Sequence, residues 1–439
     1  MTVKEDSLEN FKVSDIGLLP EDWQIAKLRN YCNLLGGYPF KSEDFIQAGV
    51  PVVKIGNLQN GTIVIDERTS FFSPAKITGG VERYILKEGD VLIALTGATT
   101  GKIAVVPKHH EGSLLNQRVG KFEVSNRQFH SIFGRYYFST KSFQERIKGN
   151  ILQSAQGNVS PKQIENLKIP LPPFSEQHKI ASVLSAVQEA KEKTENVISA
   201  SKELKKSMMK HLFTCGAVPI EEAERVPLKE TEIGMIPEHW NSVRINDVIT
   251  LSQYGLSVRG NPSGKFPILR MNSMQDGRLD LTDLQYVDVD EATFKKFKLN
   301  KGDILFNRTN SYELVGKVAV FDVESPFVFA SYIVRLMTDS NKIVTHYLNY
   351  YLNWQPTQNR LRMLASRGVS QSNINATKLK AFLISLPPLS EQERICETLS
   401  AIDEKIQAEE TKRNSLEALF KTLLSLLMTG KIRVKDLEI

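Results

Sequence analysis

The chain has 439 residues, 41% of them hydrophobic and 24% charged, and carries a formal charge of +6. That length holds two or three domains with cores of their own, and the small basic excess permits a polyanionic partner without demanding one. No run of about 18 apolar residues marks a membrane span, the polar leader MTVKEDSLENFKVSD does not read as a secretion signal, and Cys32, Cys215 and Cys396 have neither metal spacing nor even number, which favours a reducing cytoplasm over a disulfide scaffold.

In chain order, a turn segment IGLLPEDW (Ile16 to Trp23) comes first, and its tryptophan reads as structural. The β-branched runs VPVVKIGNL, DVLIAL and KIAVVP, bounded by Gly, Pro and Asn, predict strands. HSIFGRYYFSTKSFQERIKG predicts a helix with Phe133, Tyr136, Tyr137, Phe143 and Ile147 on one side. The stripe Phe133, Tyr136, Tyr137 and Phe138 reads as core packing rather than a base-stacking platform, because its spacing is helical.

LPPFSEQHKIASVLSA (Leu171 to Ala186) follows. Its Pro pair stops the preceding element, and Ser175 is suited to cap a helix. Apolar or small residues then recur at Ile180, Val183, Leu184, Val187, Ala190, Val197, Leu204, Met208 and Leu212, with no breaker before Gly216. About 40 residues at 1.5 Å each make a rod of roughly 60 Å, and its apolar stripe needs a partner.

The second half repeats the first. Ile16 to Trp23 returns as IGMIPEHW (Ile233 to Trp240), and Pro51 to Gly61 as PILRMNSMQDG (Pro267 to Gly277). Leu86 to Val106 returns as Leu299 to Phe321, Arg135 to Ser139 as Asn349 to Asn353, and Gly157 to Ile164 is matched to Arg367 to Ile374. LPPLSEQERICETLSA (Leu386 to Ala401) matches the earlier opening at ten of sixteen positions, and here Ser390 with Glu393 forms a capping-box pattern. A second periodic run follows through Ile395, Leu399, Ile402, Ile406, Leu416, Leu419, Leu423 and Leu427, to Gly430. The cheapest partner for each rod is the other, paired through Ile180, Leu184, Val187, Val197 and Leu204 on the first and Ile395, Leu399, Ile402, Leu416 and Leu423 on the second. Strands first and a helix later, without strict βαβ alternation, predicts α+β units. The expected layout is a globular domain at 1–170, a spacer helix at 171–215, a second globular domain at 216–385, and a second helix with its tail at 386–439.

The LPP-x-SEQ opening, the long helix after it, the closing LMTGKIRV and the GDIL-type strand resemble the DNA-specificity subunits of type I restriction-modification systems. The resemblance covers nearly the whole chain in both copies. It implies two tandem target recognition domains of mixed α/β structure, separated by two long helices that form an antiparallel coiled coil, with an internal pseudo-two-fold repeat. It also implies a subunit without a catalytic centre or a cofactor of its own, which carries two methyltransferase subunits bringing S-adenosylmethionine. Restriction subunits using ATP and magnesium complete the assembly. The first rod departs from the pattern by ending in LFTCGAV, and Met1 to Val13 lies outside the match.

The residues alone agree. GATTGK (Gly97 to Lys102) is one residue short of a phosphate loop, and Ile103 stands where Ser or Thr should hold magnesium. LPPF (Leu171 to Phe174) lacks the polar side chain that an amino-methyltransferase motif needs before its prolines. No glycine-rich cofactor fingerprint follows a strand, and the seven histidines, His109 and His110 included, form no metal-ligand pattern.

Direct reading of duplex DNA needs forked donors and amides: Arg or Lys for guanine, Asn or Gln for adenine. Such residues gather at predicted strand ends. In the first unit they are Lys54, Asn57, Gln59, Thr99, Thr100, Lys102, Asn116, Gln117, Arg118 and Asn158; in the second, Arg270, Asn272, Arg308, Asn310, Tyr312, Lys317, Arg335, Arg367, Ser370 and Gln371. Each alone also fits a solvated loop or a turn. Together they are polar in both copies but differ in identity, Thr96 to Thr100 against Asn307 to Ser311, which predicts a bipartite, non-palindromic target. Two other classes stay open: a self-sufficient DNA methyltransferase or nuclease, and a coiled-coil scaffold whose globular domains bind protein or glycan.

Overall fold

A computed structural model of the chain describes residues 10–152, 158–368 and 371–434. It divides into two units, Met1–Thr194 with Thr411–Ile439, and Glu195–Glu410.

In the first unit the strand Val91–Ala94 is buried at every position and pairs antiparallel with Ile103–Val105 and Val119–Val124. An apolar run without alternation is what burial on both faces requires. Cys32–Gly36 extends this sheet beyond Val119–Val124, and Thr62–Ile63 with Leu58–Gln59 extend it beyond Ile103–Val105. A second sheet joins Leu114–Leu115, Val50–Val53, Ser70–Phe72 and Phe45–Ile46.

The second unit repeats the four-strand centre in the same order: Ile249–Tyr254, Ile333–Thr338, Ile304–Asn307 and Val318–Val320. Its second sheet joins Gln285–Val287, Phe266–Leu269 and Val328–Phe329.

Each core is closed by a helix pair. The single helix expected over His130 to Gly149 is two, Ser131–Phe138 and Lys141–Leu152. The Thr140 hydroxyl separates them, donating to the Tyr137 carbonyl at 2.7 Å and accepting the Phe143 N–H at 3.3 Å. The counterparts are Thr345–Asn353 and Gln355–Met363, the latter opened by Pro356 in its first turn. The aromatic stripe is buried packing in both copies. Phe133 stacks on Tyr137 at 6.2 Å, and Tyr347 on Tyr351 at 6.1 Å.

The rods are single helices, Phe174–Cys215 and Leu389–Met428. Each starts two residues earlier than a serine cap would place it. The carbonyls of Pro173 and Pro388 accept the N–H groups of Gln177 and Gln392, each at 3.0 Å, so Ser175 and Ser390 fall inside the first turn. The Glu-Gln of SEQ does the anchoring. Glu176 and Glu391 accept the indole N–H of Trp23 and Trp240, each at 3.0 Å. Gln177 accepts the His130 N–H at 2.9 Å and donates to the Pro172 carbonyl at 2.9 Å. Gln392 does the same with Val344 at 2.8 Å and Pro387 at 2.9 Å. Buried polar groups require such partners, and here they fasten the start of each rod to a head.

Within each unit the rods run antiparallel. In the first, Lys191 pairs with Glu417 at 2.6 Å, and Ile180 and Leu184 share a core with Leu427 and Met428. In the second, Lys202 pairs with Glu410 at 2.9 Å and Lys205 with Asp403 at 2.7 Å, while Met209, Leu212 and Phe213 share a core with Ile395 and Leu399. Val187, Ile402, Leu416 and Leu423 are half-buried along the rods. Val197 and Leu204 are not in the seam: they are exposed, and Thr194 and Ile198 are buried instead. A strict seven-residue count drifts by about 20° per heptad on an α-helix of 3.6 residues per turn, which carries those two off the stripe.

Two repeat alignments also shift. Ser160 and Asn375 both cap short helices, Pro161–Glu165 and Ala376–Lys380, so Asn158 answers to Asn373 and not to a residue near Gly368. Likewise Gly101 and Gly316 donate to the carbonyls of Ala94 and Asn307, so Leu95 answers to Arg308 and Thr96 to Thr309.

Candidate nucleic-acid interface

In the first unit, backbone bonds draw four loops to one edge of the sheet. The Leu95 N–H donates to the Arg118 carbonyl and the Val159 N–H to the Leu95 carbonyl, each at 3.0 Å. The Asn116 N–H donates to Val53 at 3.1 Å and the Gln117 N–H to Tyr38 at 2.9 Å. These bonds bring together Thr99, Thr100, Lys102, Gln117, Arg118 and Asn158, of which Lys102, Gln117 and Arg118 are exposed. The phosphate-loop lookalike is a turn between strands, closed by Thr100 donating to the Gly97 carbonyl.

Two first-unit candidates are corrected. Asn57 is buried, its Oδ1 accepting the Lys54 N–H at 2.9 Å and its Nδ2 donating to Val64 and Thr69, so its amide organises a loop and cannot turn to a base. Asn116 is buried beneath the loop crossing. Lys54 lies over the Phe45 ring at 4.1 Å and donates to Ser70 at 2.7 Å, and partial burial lowers its pKa. Gln59 donates to the Gly56 carbonyl at 3.0 Å.

The second unit builds the same edge from different side chains. The Arg308 N–H donates to the Tyr332 carbonyl and the Ile374 N–H to the Arg308 carbonyl, each at 2.9 Å. Thr309–Asn310 pairs with Ser372–Asn373, which in turn pairs with Ser366–Arg367. This small sheet carries Asn310 and the backbone of Arg367 beside Arg308, with Gln371 exposed at the hairpin; Ser370 lies outside the described residues. Tyr312 is half-buried just beyond. Lys317 donates to Gln275 at 2.7 Å. Arg270 and Asn272 both hold Asp283, at 2.9 and 3.3 Å.

Arg335 is corrected outright. It is buried, paired with the equally buried Asp303 at 3.3 Å, and donates to Lys298 and Gln253. With its Nη groups so engaged inside the core, it fastens strands and reads nothing.

Residue counting for forked donors and amides missed two aromatic side chains. Tyr254 and Tyr332 are each 43% exposed at this edge. For Tyr254 the available signal was a tyrosine directly before a glycine at the end of a β-branched run. Among the described residues no group of three or more His, Cys, Asp and Glu could hold a metal, and no helix is long and apolar enough to cross a membrane.

Two mixed sheet heads, each fastened to paired long helices and each presenting a polar loop edge, define a protein of duplicated design. The family model described as type I restriction modification DNA specificity domain matches residues 20–200 and 237–418, and the chain belongs to that family. It is 36% identical to the putative type I restriction enzyme MjaX specificity subunit of Methanocaldococcus jannaschii, covering 97% of both chains. It is 26% identical to the MjaVIII specificity subunit of the same organism over 98% of this chain and 97% of the relative. Identity to the EcoKI specificity subunit of Escherichia coli is 25%, over 86% of this chain and 82% of the relative. The fold matches the crystal structure of a type I restriction-modification S subunit from M. genitalium with a TM-score of 0.58 at 16% identity, over 92% of this chain and 96% of that one.

Proposed function

We propose that this chain is the DNA sequence-recognition subunit of a type I restriction-modification complex, each head reading one half of a bipartite, non-palindromic duplex target. It is not itself an enzyme. The observation that supports this most directly is the repeated loop edge, whose backbone pairing is shared between heads while its side chains differ: Leu95 and Arg118 in one, Arg308 and Tyr332 in the other. A common scaffold with different donors is what two different half-sites need.

The methyltransferase chemistry, with S-adenosylmethionine, belongs to partner subunits, and the duplicated rods and heads offer two similar faces for two copies of one partner. Restriction subunits bring ATP and magnesium. The assembly works on cytoplasmic DNA. Lys102, Gln117, Arg118, Asn158, Arg308, Asn310 and Gln371 are the side chains we assign to the duplex. Arg308→Ala should cost about 1–3 kcal/mol and relax preference at one base pair, as expected for an arginine forking a guanine; a uniform loss on every sequence would make it a phosphate contact.

The test is to purify the chain with its methyltransferase subunits and map methylated sites on genomic duplex. A split, asymmetric motif is expected. Binding should weaken steeply with salt while the motif persists. Methylation without sequence preference, or retention of specific methylation by the chain alone, would sink the proposal.

A further inference from the structure

The second head's edge contains an arrangement that the first lacks. The Arg308 guanidinium lies 4.8 Å from the centroid of the Tyr254 ring. Its Nη1 donates to the Ser331 carbonyl at 3.2 Å, and its Nε is buried with no partner. Tyr254 is itself held: its hydroxyl accepts the Ala376 N–H at 2.9 Å, at the first residue of the Asn375-capped helix. Tyr254 sits at the end of the strand Ile249–Tyr254, directly before Gly255. A Cβ on Gly255 would lie 2.3 Å from the Phe329 carbonyl oxygen, so the chain after the ring passes close against the strand Val328–Phe329, where only glycine fits.

These contacts fix three sides of the guanidinium. The ring covers one face, the Ser331 carbonyl takes one Nη1 hydrogen, and burial keeps Nε from turning outward. Among the described residues Nη2 has no hydrogen-bond partner, and with the second Nη1 hydrogen it makes the edge that matches O6 and N7 of guanine in the major groove. An arginine on a flexible stem loses side-chain entropy when it orders on a base. Here much of that ordering is present in the free protein.

We infer that Tyr254 is a positioning residue for sequence reading, holding Arg308 with its fork presented to a guanine, and that this device belongs to the second head alone. In the first head the positions equivalent to Tyr254 and Arg308 are Gly36 and the buried Leu95. The exposed guanidinium there is Arg118, which stands where the second head has Tyr332. The two heads therefore bring their arginines to the duplex from different strands, and only one is clamped by an aromatic ring. This rests on the DNA-reading role proposed above and specifies its chemistry in one half-site.

The test uses the complex with its methyltransferase subunits, a randomised duplex library, and methylation as the readout of base preference. Tyr254→Leu should lower guanine preference at one base pair of one half-site by about threefold to fivefold, the scale of an exposed cation–π contact. The other half-site should be unchanged and serves as the control for folding and assembly. Tyr254→Phe keeps the ring and should retain most of the preference. Arg308→Lys keeps the charge but removes the fork and should abolish it. In an Arg308→Ala background, Tyr254→Leu should change nothing further. Tyr254→Leu leaving base preference intact, weakening both half-sites alike, or adding to Arg308→Ala would overturn the assignment. A wild-type complex with no sequence preference would instead defeat the DNA-reading role. Specific methylation that ignores Arg308→Ala would defeat the clamp alone.

Discussion

Arg335 and Arg308 stand close in sequence reading and far apart in role. Both are arginines near strand ends, yet Arg335 is paired to Asp303 with side chains 7% and 4% exposed, while Arg308 is half-buried and gives one Nη1 bond to the Ser331 carbonyl. Arg335→Ala leaves Asp303 buried without its cation and should destabilise the second head by about 3–5 kcal/mol, seen as a lowered midpoint in chemical unfolding. Burial already pushes the Asp303 carboxyl above its ordinary pKa. Gly430 offers a second case. Its φ of +68° and a would-be Cβ 2.3 Å from Pro20 Cγ make Gly430→Ala both strained and clashing. A loss of about 1–3 kcal/mol is expected, measurable as a drop in thermal midpoint. Arg335 was misread because a donor's partners are tertiary: nothing in the local run IVRLM announces Asp303 across the sheet. Tyr254 was missed because its value lies in what it holds.

The long helices were legible from periodicity and from the repeated LPP-x-SEQ opening, because apolar spacing and proline punctuation are local signals. Their seam was legible only near the ends, where Ile180, Leu184, Ile395 and Leu399 meet the head cores. Towards the middle, ion pairs such as Lys191–Glu417 join the buried Thr194, Ile198 and Ile406. The Lys191 hydrogen bond is the main cause of the lowered Glu417 pKa. A lowered folded-state value means that this pair stabilises above the ordinary carboxylate range and is lost as pH falls through the folded pKa. Helix stability measured by circular dichroism between about pH 6 and 3 should therefore show an acid limb that Glu417→Gln flattens. A variant with an unchanged slope would remove Glu417 from the pairing. The break at Thr140 was not legible, since a single hydroxyl decides it and the apolar stripe continues through.

For the whole chain, the duplication was the clearest message of the sequence. Of the ten identities in sixteen around each rod start, the Glu and the Gln make the Glu–Trp and Gln–backbone contacts that both heads share. The loops diverge, as the proposed reading of two different half-sites expects, and their equivalences slip by a few residues until the paired backbone of Leu95 and Arg308 aligns them. If the rods act as a ruler, four residues inserted in a rod add about 6 Å, or roughly two base pairs. Methylation mapping should then show a longer gap between half-sites, and an unchanged gap would refute the ruler.

Arg433 completes the clasp of the first head, bonding both oxygens of Glu176 and pairing with Asp22 at 2.6 Å. The second head has no arginine there; His239 faces Glu391 at 2.8 Å instead. Clipping the polypeptide just after the second rod would therefore injure the domain encoded first and spare the one encoded last. A stop codon or protease cut just before Arg433 should be felt as lost discrimination in the half-site read by the first head alone.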